Sequence, residues 1–211
     1  VMANLAGILA ARGNVQEITE CLAVVQTGKA HDILQLGLED TKPLANPIDV
    51  PAPTAPTADQ IAAWEKRVPA VLEALKQKSD LAEGKTFFTA MCASCHRSHG
   101  IGFAVGPDLD AEFQRAPEVI LRDILFPSEA ARPGYDTTMV KTRRGETLLG
   151  ITTSDSPTST TLKLPGGSER TVLRKRADIR TVRNVSLMTP GFGEALQPSQ
   201  IANIIGFLRS R

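Results

Sequence analysis

Five consecutive residues, Cys92-Ala93-Ser94-Cys95-His96, restrict the fold of this chain more than any other stretch. Two cysteines three positions apart, with a histidine directly after the second, form the attachment signature of a c-type haem. Each thiol adds across one vinyl group of the porphyrin, so both anchors must come from one short turn. The next residue then lies under the ring, where its imidazole reaches the iron. The sequence therefore predicts one covalently attached haem c, with Cys92 and Cys95 as anchors and His96 as the proximal iron ligand.

The same cysteine spacing has two other uses, which stay open as alternatives. Zinc sites and thioredoxin-like dithiols both contain Cys-x-x-Cys pairs. The chain has three cysteines in all, so a second pair for a four-cysteine zinc site is missing. The strand and helix N-terminus expected around a redox dithiol are missing as well, which ranks zinc and disulfide chemistry behind haem. The third cysteine, Cys21, is predicted to be a small buried apolar residue.

Composition narrows the range of partners. The 211 residues carry a formal net charge of +1, which gives no reason to expect nucleic acid or a basic membrane-binding patch. The longest apolar run, residues 5–11, is far too short to span a bilayer. Covalent haem attachment normally takes place outside the cytoplasm, so we expect a periplasmic or otherwise extracytoplasmic protein. The chain opens with Val1-Met2 and shows no signal sequence, which we interpret as a mature form or a fragment.

Helical periodicity and a run of prolines suggest the order of the domains. Apolar residues recur at helical spacing within 1–42, which we interpret as short, repeat-like helices. Five prolines fall within 43–56, a pattern typical of an extended linker. Residues 57–79 are predicted to form connecting helices, and residues 80–211 the haem domain. Within that domain, short alternating runs at about 135–181 predict four or five antiparallel strands, an insertion that would form a small barrel or curled sheet.

A distal iron ligand is expected between the middle helix of the haem domain and its last helix. Met188 lies there, although a long stretch of chain separates it from His96. Leaving out the predicted strands restores a gap that is ordinary for a small haem protein. Methionine is suited to this position because its soft thioether favours ferrous iron and raises the reduction potential. We predict Met188 as the distal ligand, and a core methionine beside an open or water-bound iron is the alternative.

The sequence around the attachment motif resembles class I cytochromes c. Gly84, Phe88 and Cys92 fall four apart, the Gly-x-x-x-aromatic-x-x-x-Cys pattern of the first helix in that family. A helix that crosses another near a right angle needs a residue without a side chain at the contact. By this analogy the crossing partner is a last helix at 198–210, whose Phe207 meets Gly84.

Residues 80–211 also resemble a more specific group, the C-terminal haem-binding (CxxCH) domain of membrane-bound or secreted dehydrogenase-like proteins of planctomycetes and verrucomicrobia. In that group helical repeats often precede the haem domain, and a sugar-dehydrogenase-like propeller can lie further upstream. This chain has Thr189-Pro190 where the group often has prolines directly after the methionine. The shared segments are Gly84-Lys85, Cys92-Ala93-Ser94-Cys95-His96, Gly106-Pro107-Asp108-Leu109, Ile124-Leu125-Phe126-Pro127-Ser128, Pro133-Gly134-Tyr135, the strand insertion, Ser186-Leu187-Met188 and 196–208.

The cytochrome c resemblance implies the remaining site residues. Cytochromes c carry a Gly-Pro-x-Leu stretch whose proline carbonyl accepts a hydrogen bond from the proximal histidine and raises its basicity. In this chain that role falls to Pro107, with a simple turn as the alternative. Phe103, Leu109 and Ile124 are expected to line the haem pocket.

Taken together, these features predict a mainly α fold. It would consist of a cytochrome c-like helical haem domain with a small inserted antiparallel β-barrel or sheet, preceded by short repeat-like helices. The predicted function is electron transfer through one haem, with electrons accepted from an upstream dehydrogenase module or a partner protein and no catalytic residues in this chain. A peroxidase-like haem enzyme, or a gas or redox sensor with a displaceable sixth ligand, is the alternative. In a further hypothesis, residues 1–42 and the inserted strands are a scaffold that docks the haem domain to its redox partner.

Overall fold

The computed structural model describes residues 5–7, 9–10, 15–39, 50–129 and 133–210. The first part of the predicted linker, 43–49, and part of the first predicted helix therefore lie outside the described residues.

Contacts divide the chain into two compact units. The sheet unit consists of the described residues up to Ala52, together with Thr137–Leu164 and Ser168–Arg183. The helical unit consists of the described residues of Pro53–Asp136, Pro165–Gly167 and the described residues from Asn184 onward. The division in sequence order into 1–42, 43–56, 57–79 and 80–211 is a different grouping, and it stays a prediction about the folding units.

Helices and strands alternate along the chain in blocks. The helices are α1 Val15–Val24, α2 Lys29–Glu39, α3 Ala58–Glu65, α4 Val68–Ala74, α5 Leu81–Phe87, α6 Pro117–Leu125, α7 Phe192–Ala195 and α8 Pro198–Arg209. A π-helical turn, Phe88–Cys92, follows α5, and 3-10 turns lie at Glu112–Gln114 and Arg174–Arg176. The strands are β1 Arg97–Ser98, β2 Ile101–Gly102, β3 Asp136–Thr142, β4 Thr147–Asp155, β5 Ser159–Lys163, β6 Glu169–Leu173 and β7 Ala177–Ser186.

The prediction of a mainly α fold with a small inserted sheet is wrong. The protein is 44% helix and 22% strand, and it contains a five-stranded antiparallel sheet in the order β6-β5-β4-β3-β7. The runs that predicted the strands were short, but β7 is ten residues long. The polar pairs Arg180-Thr181 and Arg183-Asn184 break the alternation of apolar and polar side chains along β7, so the sequence pattern under-represents the sheet.

The sheet unit contains two buried apolar clusters, one within the sheet and one formed mainly by the N-terminal helices. Val140, Leu148, Leu162 and Val172 form a buried cluster within the sheet, and Val140 lies opposite Leu148 in the register of β3 and β4. Residues of the N-terminal helices form a second cluster that includes Leu173 of β6. The helices that the sequence likened to repeats therefore bury their apolar faces against this sheet.

The helical unit begins with two short helices whose ends follow from local sequence. The Thr57 hydroxyl accepts a hydrogen bond from the Gln60 backbone N–H, and the Gln60 side chain accepts one from the Thr57 backbone N–H. This capping box starts α3. Pro69 lies in the first turn of α4, where its missing N–H has no helical partner to lose. Trp64 and Val71 are buried on the inner faces of the two helices.

Helices α5 and α8 cross at a very short distance within this unit. A Cβ atom added to Gly84 would lie 2.0 Å from the Asn203 carbonyl oxygen and 3.0 Å from the Phe207 Cβ. The Phe88 and Phe207 rings pack with centroids 5.4 Å apart. The predicted contact between Gly84 and Phe207 is thus confirmed, and it places the C-terminal end of α5 beside the core.

The N-terminus of α5 depends on Asp80. Its carboxylate accepts hydrogen bonds of 3.0 Å from the backbone N–H groups of Ala82 and Glu83. We expect Asp80→Ala to lower the free energy of unfolding by about 1 kcal/mol, the usual cost of losing an N-cap, and Asp80→Asn to lower it less because the amide oxygen still accepts. Urea unfolding of the two variants measures the difference, and equal losses would contradict the capping role.

Candidate haem-attachment site

The two cysteines of the motif lie on one turn. The π-helical turn ends α5, with the Ala93 N–H donating to the Phe88 carbonyl at 2.9 Å. The Cys92 carbonyl then accepts from the N–H groups of both Cys95 and His96, at 3.0 and 2.9 Å. Both thiols are free and half-buried. This is the arrangement that two thioether bonds to one porphyrin require.

The loop that follows folds back onto the attachment turn. The N–H groups of Val105 and Gly106 both donate to the Cys95 carbonyl, at 2.9 and 2.7 Å, and the Phe103 N–H donates to the Ala93 carbonyl at 3.0 Å. Gly102 adopts a φ of +91°, and a Cβ there would lie 2.2 Å from the His96 carbonyl oxygen. Only glycine combines this backbone conformation with so close an approach.

A short segment of the helical unit, Pro165–Gly167, also contacts the attachment turn. The Gly166 N–H donates to the Ser94 carbonyl at 2.7 Å. A Cβ on Gly167 would lie 2.6 Å from the Phe103 ring. The three-residue segment Pro165–Gly167 thus fixes both the attachment turn and the loop after it.

The His96 ring is held from one side only. Its Nδ1 lies 2.8 Å from the Pro107 carbonyl oxygen, and because a carbonyl only accepts, Nδ1 carries the proton. Within the part of the chain that the structure describes, Nε2 has no hydrogen-bond partner. A Cβ on Gly106 would lie 2.6 Å from the ring Cε1. The ring is therefore oriented by Pro107 and Gly106 with the lone pair of Nε2 left available.

Burial disfavours the charged forms of His96 and Cys92. Burial is the largest effect on His96 and lowers its pKa, against the smaller raising effects of the Pro107 carbonyl and of Glu112. A neutral imidazole is the form that binds a metal. Burial, followed by the neighbouring Cys95, raises the pKa of Cys92 to about 11. A catalytic dithiol needs a thiolate near neutral pH, so this environment does not favour redox dithiol chemistry.

These residues fit a covalent haem. The cysteines share one turn, the histidine follows directly, and its second nitrogen is free to bind iron. Comparison with protein families points the same way, because residues 81–148 match the family model described as Cytochrome c. This match supports a cytochrome c-like haem-binding domain in this part of the chain. No curated protein matches the sequence.

The match has consequences for cofactor and partners. It supports haem c binding by the cytochrome c-like domain and a role in electron transfer, which implies redox partners. It includes the attachment motif and Pro107, and it ends within β4, before Met188. Within the described ranges no helix has both the length and the apolar character to cross a membrane.

The predicted distal ligand lies on a loop of the helical unit. Met188 is half-buried, and its backbone N–H donates to the Ser186 hydroxyl at 3.1 Å. The loop follows β7 and precedes α8, as the sequence predicts. Its role as the iron ligand of the cytochrome c-like domain stays a prediction.

The predicted pocket residues have different surroundings. Leu109 and Ile124 are half-buried and pack against the main apolar cluster of the helical unit, which also contacts Cys92. Phe103 is 48% exposed and lies against Gly167 instead. Leu109 and Ile124 therefore pack against the same core as Cys92 does. The contacts of all three residues with haem stay predictions.

His99 makes structural contacts within the helical unit. Its ring packs on Phe207 at 4.6 Å, and Nε2 donates to the Ser210 carbonyl at 3.1 Å. Nδ1 lies 2.9 Å from the buried Ser98 hydroxyl. Both ring nitrogens are thus engaged within the helical unit.

Two groups of residues near the site were not predicted from the sequence. Glu112 is 4% exposed, pairs with Arg115 at 2.8 Å and acts electrostatically on His96. Trp64 and Arg67 bind the segment after Met188 from across the sequence. The sequence predicted connecting helices at 57–79 but not these contacts, because contacts between residues so far apart leave no pattern in a single sequence.

Proposed function

We propose that this chain is a monohaem c-type electron-transfer protein with Cys92 and Cys95 as covalent anchors, His96 as proximal ligand and Met188 as distal ligand. Haem iron, when bound, supplies one-electron redox chemistry. The observation that carries the proposal is the His96 ring, whose Nδ1 proton is bound by the Pro107 carbonyl while Nε2 has no partner in the described part of the chain.

The residues of the chain perform three tasks in this proposal. The anchors fix the haem to one turn, so that it cannot dissociate when its charge changes. The Pro107 carbonyl orients the imidazole of His96 and raises its basicity. The Met188 thioether would bind the haem iron and raise its reduction potential. With His96 and Met188 both bound to iron, a substrate would have no place there, and the domain would transfer electrons without bond chemistry.

The partner and location follow from the same proposal. The resemblance to dehydrogenase-associated haem domains supports a dehydrogenase module or a partner protein as the electron donor. Cytochrome c domains are typically extracytoplasmic, and the attachment chemistry supports a periplasmic or other extracytoplasmic location.

Replacement of Met188 by alanine tests the ligand assignment. We expect the haem-containing wild type to show sharp low-spin bands and the weak far-red band of methionine bound to ferric iron. Met188→Ala should lose the far-red band and show a lower reduction potential, because the soft ligand is gone. Visible spectra of both redox states and a potentiometric titration measure this.

Met139→Ala is the matched control, since Met139 lies in β3 of the sheet unit. It should keep the wild-type spectrum. A wild type with a high-spin spectrum that shifts with carbon monoxide or peroxide would instead support the enzyme or sensor alternative. An unchanged spectrum and potential in Met188→Ala would show that another group is the distal ligand.

A further inference from the structure

The segment 187–197 connects β7 to α8 and carries Met188, so its position decides where that side chain lies. It contains the short helix α7. Gly191, which precedes α7, has a φ of +106°, a conformation that lets the chain turn sharply after Met188. Two sets of contacts within the helical unit hold this segment, one before Met188 and one after it.

The first set fixes the chain just before the ligand. The Ser186 N–H donates to the Ser128 hydroxyl at 3.2 Å, and the Ser186 hydroxyl accepts from the Met188 N–H at 3.1 Å. Ser128 belongs to the loop directly after α6. The backbone of Met188 is thus tied to the end of α6 through one serine.

The second set comes from the helices that precede the attachment motif. The Trp64 indole N–H of α3 donates to a Glu194 carboxylate oxygen at 3.0 Å. The Arg67 guanidinium, at the start of α4, donates to the Leu196 carbonyl at 2.8 Å. Each bond joins residues about 130 positions apart, so residues 57–79 are part of the framework around the Met188 segment and not merely a connection.

Trp64 joins the two sets of contacts. Its side chain is 2% exposed, and its ring packs edge-on against Phe126 with centroids 6.0 Å apart. Phe126 lies two residues before Ser128. A cavity of about 40 Å³ lies among Trp64, Phe126 and Pro190. The segment is also packed elsewhere, since Leu196 is buried in the apolar cluster of this unit, but at Pro190 it borders a gap.

We propose that Trp64 and Arg67 are positioning residues. They hold the segment 187–197 in place and so keep the Met188 thioether on the iron. The inference rests on the proposed His–Met ligation. It assigns to α3 and α4 a role in ligand retention, in addition to their contribution to the core.

The test measures how readily imidazole displaces the methionine from ferric iron in the full-length, haem-containing protein. Trp64→Phe keeps an aromatic ring against Phe126 and removes the donor, and Glu194→Ala removes the acceptor. Each should raise the apparent imidazole affinity by roughly three- to tenfold, the effect of losing one net hydrogen bond. The double variant should exceed neither single variant by much, because both remove the same bond. Arg67→Met should act in the same direction.

Two controls separate positioning from general stability. Glu194→Gln keeps an acceptor oxygen and should bind imidazole as the wild type does. Asp80→Ala weakens the same unit at a helix cap that does not touch the segment, and it should leave imidazole affinity unchanged. The proposal is overturned if Trp64→Phe and Glu194→Ala behave as wild type, or if Asp80→Ala raises the affinity as much as they do.

Met188→Ala distinguishes failure of this inference from failure of the proposed function. It should bind imidazole more tightly than wild type and be insensitive to Trp64→Phe. If Met188→Ala changes the affinity and Trp64→Phe does not, only the positioning role is wrong. If Met188→Ala leaves the affinity unchanged, the ligand assignment is wrong and the positioning role falls with it.

Discussion

Gly84→Val should destabilise the helical unit by at least about 3 kcal/mol, the upper end of the usual cost of overpacking. The first atom of any side chain at this position would lie 2.0 Å from the Asn203 carbonyl oxygen. That oxygen is part of the α8 backbone and cannot turn aside as a flexible side chain can. The gain in helix propensity from glycine to valine is only a few tenths of a kcal/mol, so the clash decides the sign.

Thermal unfolding of the haem-containing protein measures this effect. A loss of about 3 kcal/mol corresponds to a fall in Tm of roughly 6–12 °C for a chain of this length. Lys85→Val is the matched control, because Lys85 is the next residue of α5 and is exposed. It should change the free energy of unfolding by less than about 0.5 kcal/mol. Equal effects at the two positions would mean that the helices do not cross at Gly84.

Features with short, fixed spacing could be predicted from the sequence. The attachment motif lies on one turn, the Gly84 contact with Phe207 is present, and the last helix was expected at 198–210 and is observed at Pro198–Arg209. The Pro107 carbonyl faces His96. The attachment motif depends on local chemistry that admits few residue types, so its sequence reveals it. The contact between Gly84 and Phe207 and the role of Pro107 were implied by the resemblance to cytochromes c.

The extent of the sheet could not be predicted in the same way. Its strands carry buried threonines, among them Thr137, Thr138 and Thr160, whose hydroxyls interrupt the apolar signal of an inner face. Thr138 and Thr152 instead lie with their hydroxyls 2.9 Å apart across β3 and β4. Such a pair is satisfied only once the strands meet, and neither strand alone indicates which residue will be the partner.

Contacts between residues far apart in the sequence could not be predicted either. Leu173 of β6 packs with the N-terminal helices, and the Trp64 indole reaches Glu194. The sequence predicted connecting helices at 57–79 but did not show what Trp64 contacts. The surroundings of Met188 depend on such contacts, which is why the motif at residues 92–96 could be interpreted in detail and the distal side only in outline.

Gly106→Ala should disrupt the proximal side of the site while leaving the fold intact. The added Cβ would lie 2.6 Å from the His96 Cε1, against about 3.5 Å or more for an ordinary carbon–carbon contact. The loop cannot easily yield, because the N–H groups of Val105 and Gly106 both bind the Cys95 carbonyl. A ring displaced by about 0.9 Å would stretch its 2.8 Å bond to Pro107 beyond hydrogen-bond range.

The expected result is a loss of the low-spin spectrum at unchanged covalent haem content. The pyridine adduct of the denatured protein counts thioether-bound haem whatever its native ligands, and far-UV circular dichroism reports the fold. Ala104→Val is the control, since Ala104 is exposed in the same loop and should keep the native spectrum. Gly106 needs no positive φ, so the substitution adds only the methyl group. A native spectrum in Gly106→Ala would therefore mean that the ring of the haem-bound protein does not lie against this glycine, and it would remove the structural basis for His96 as an oriented proximal ligand.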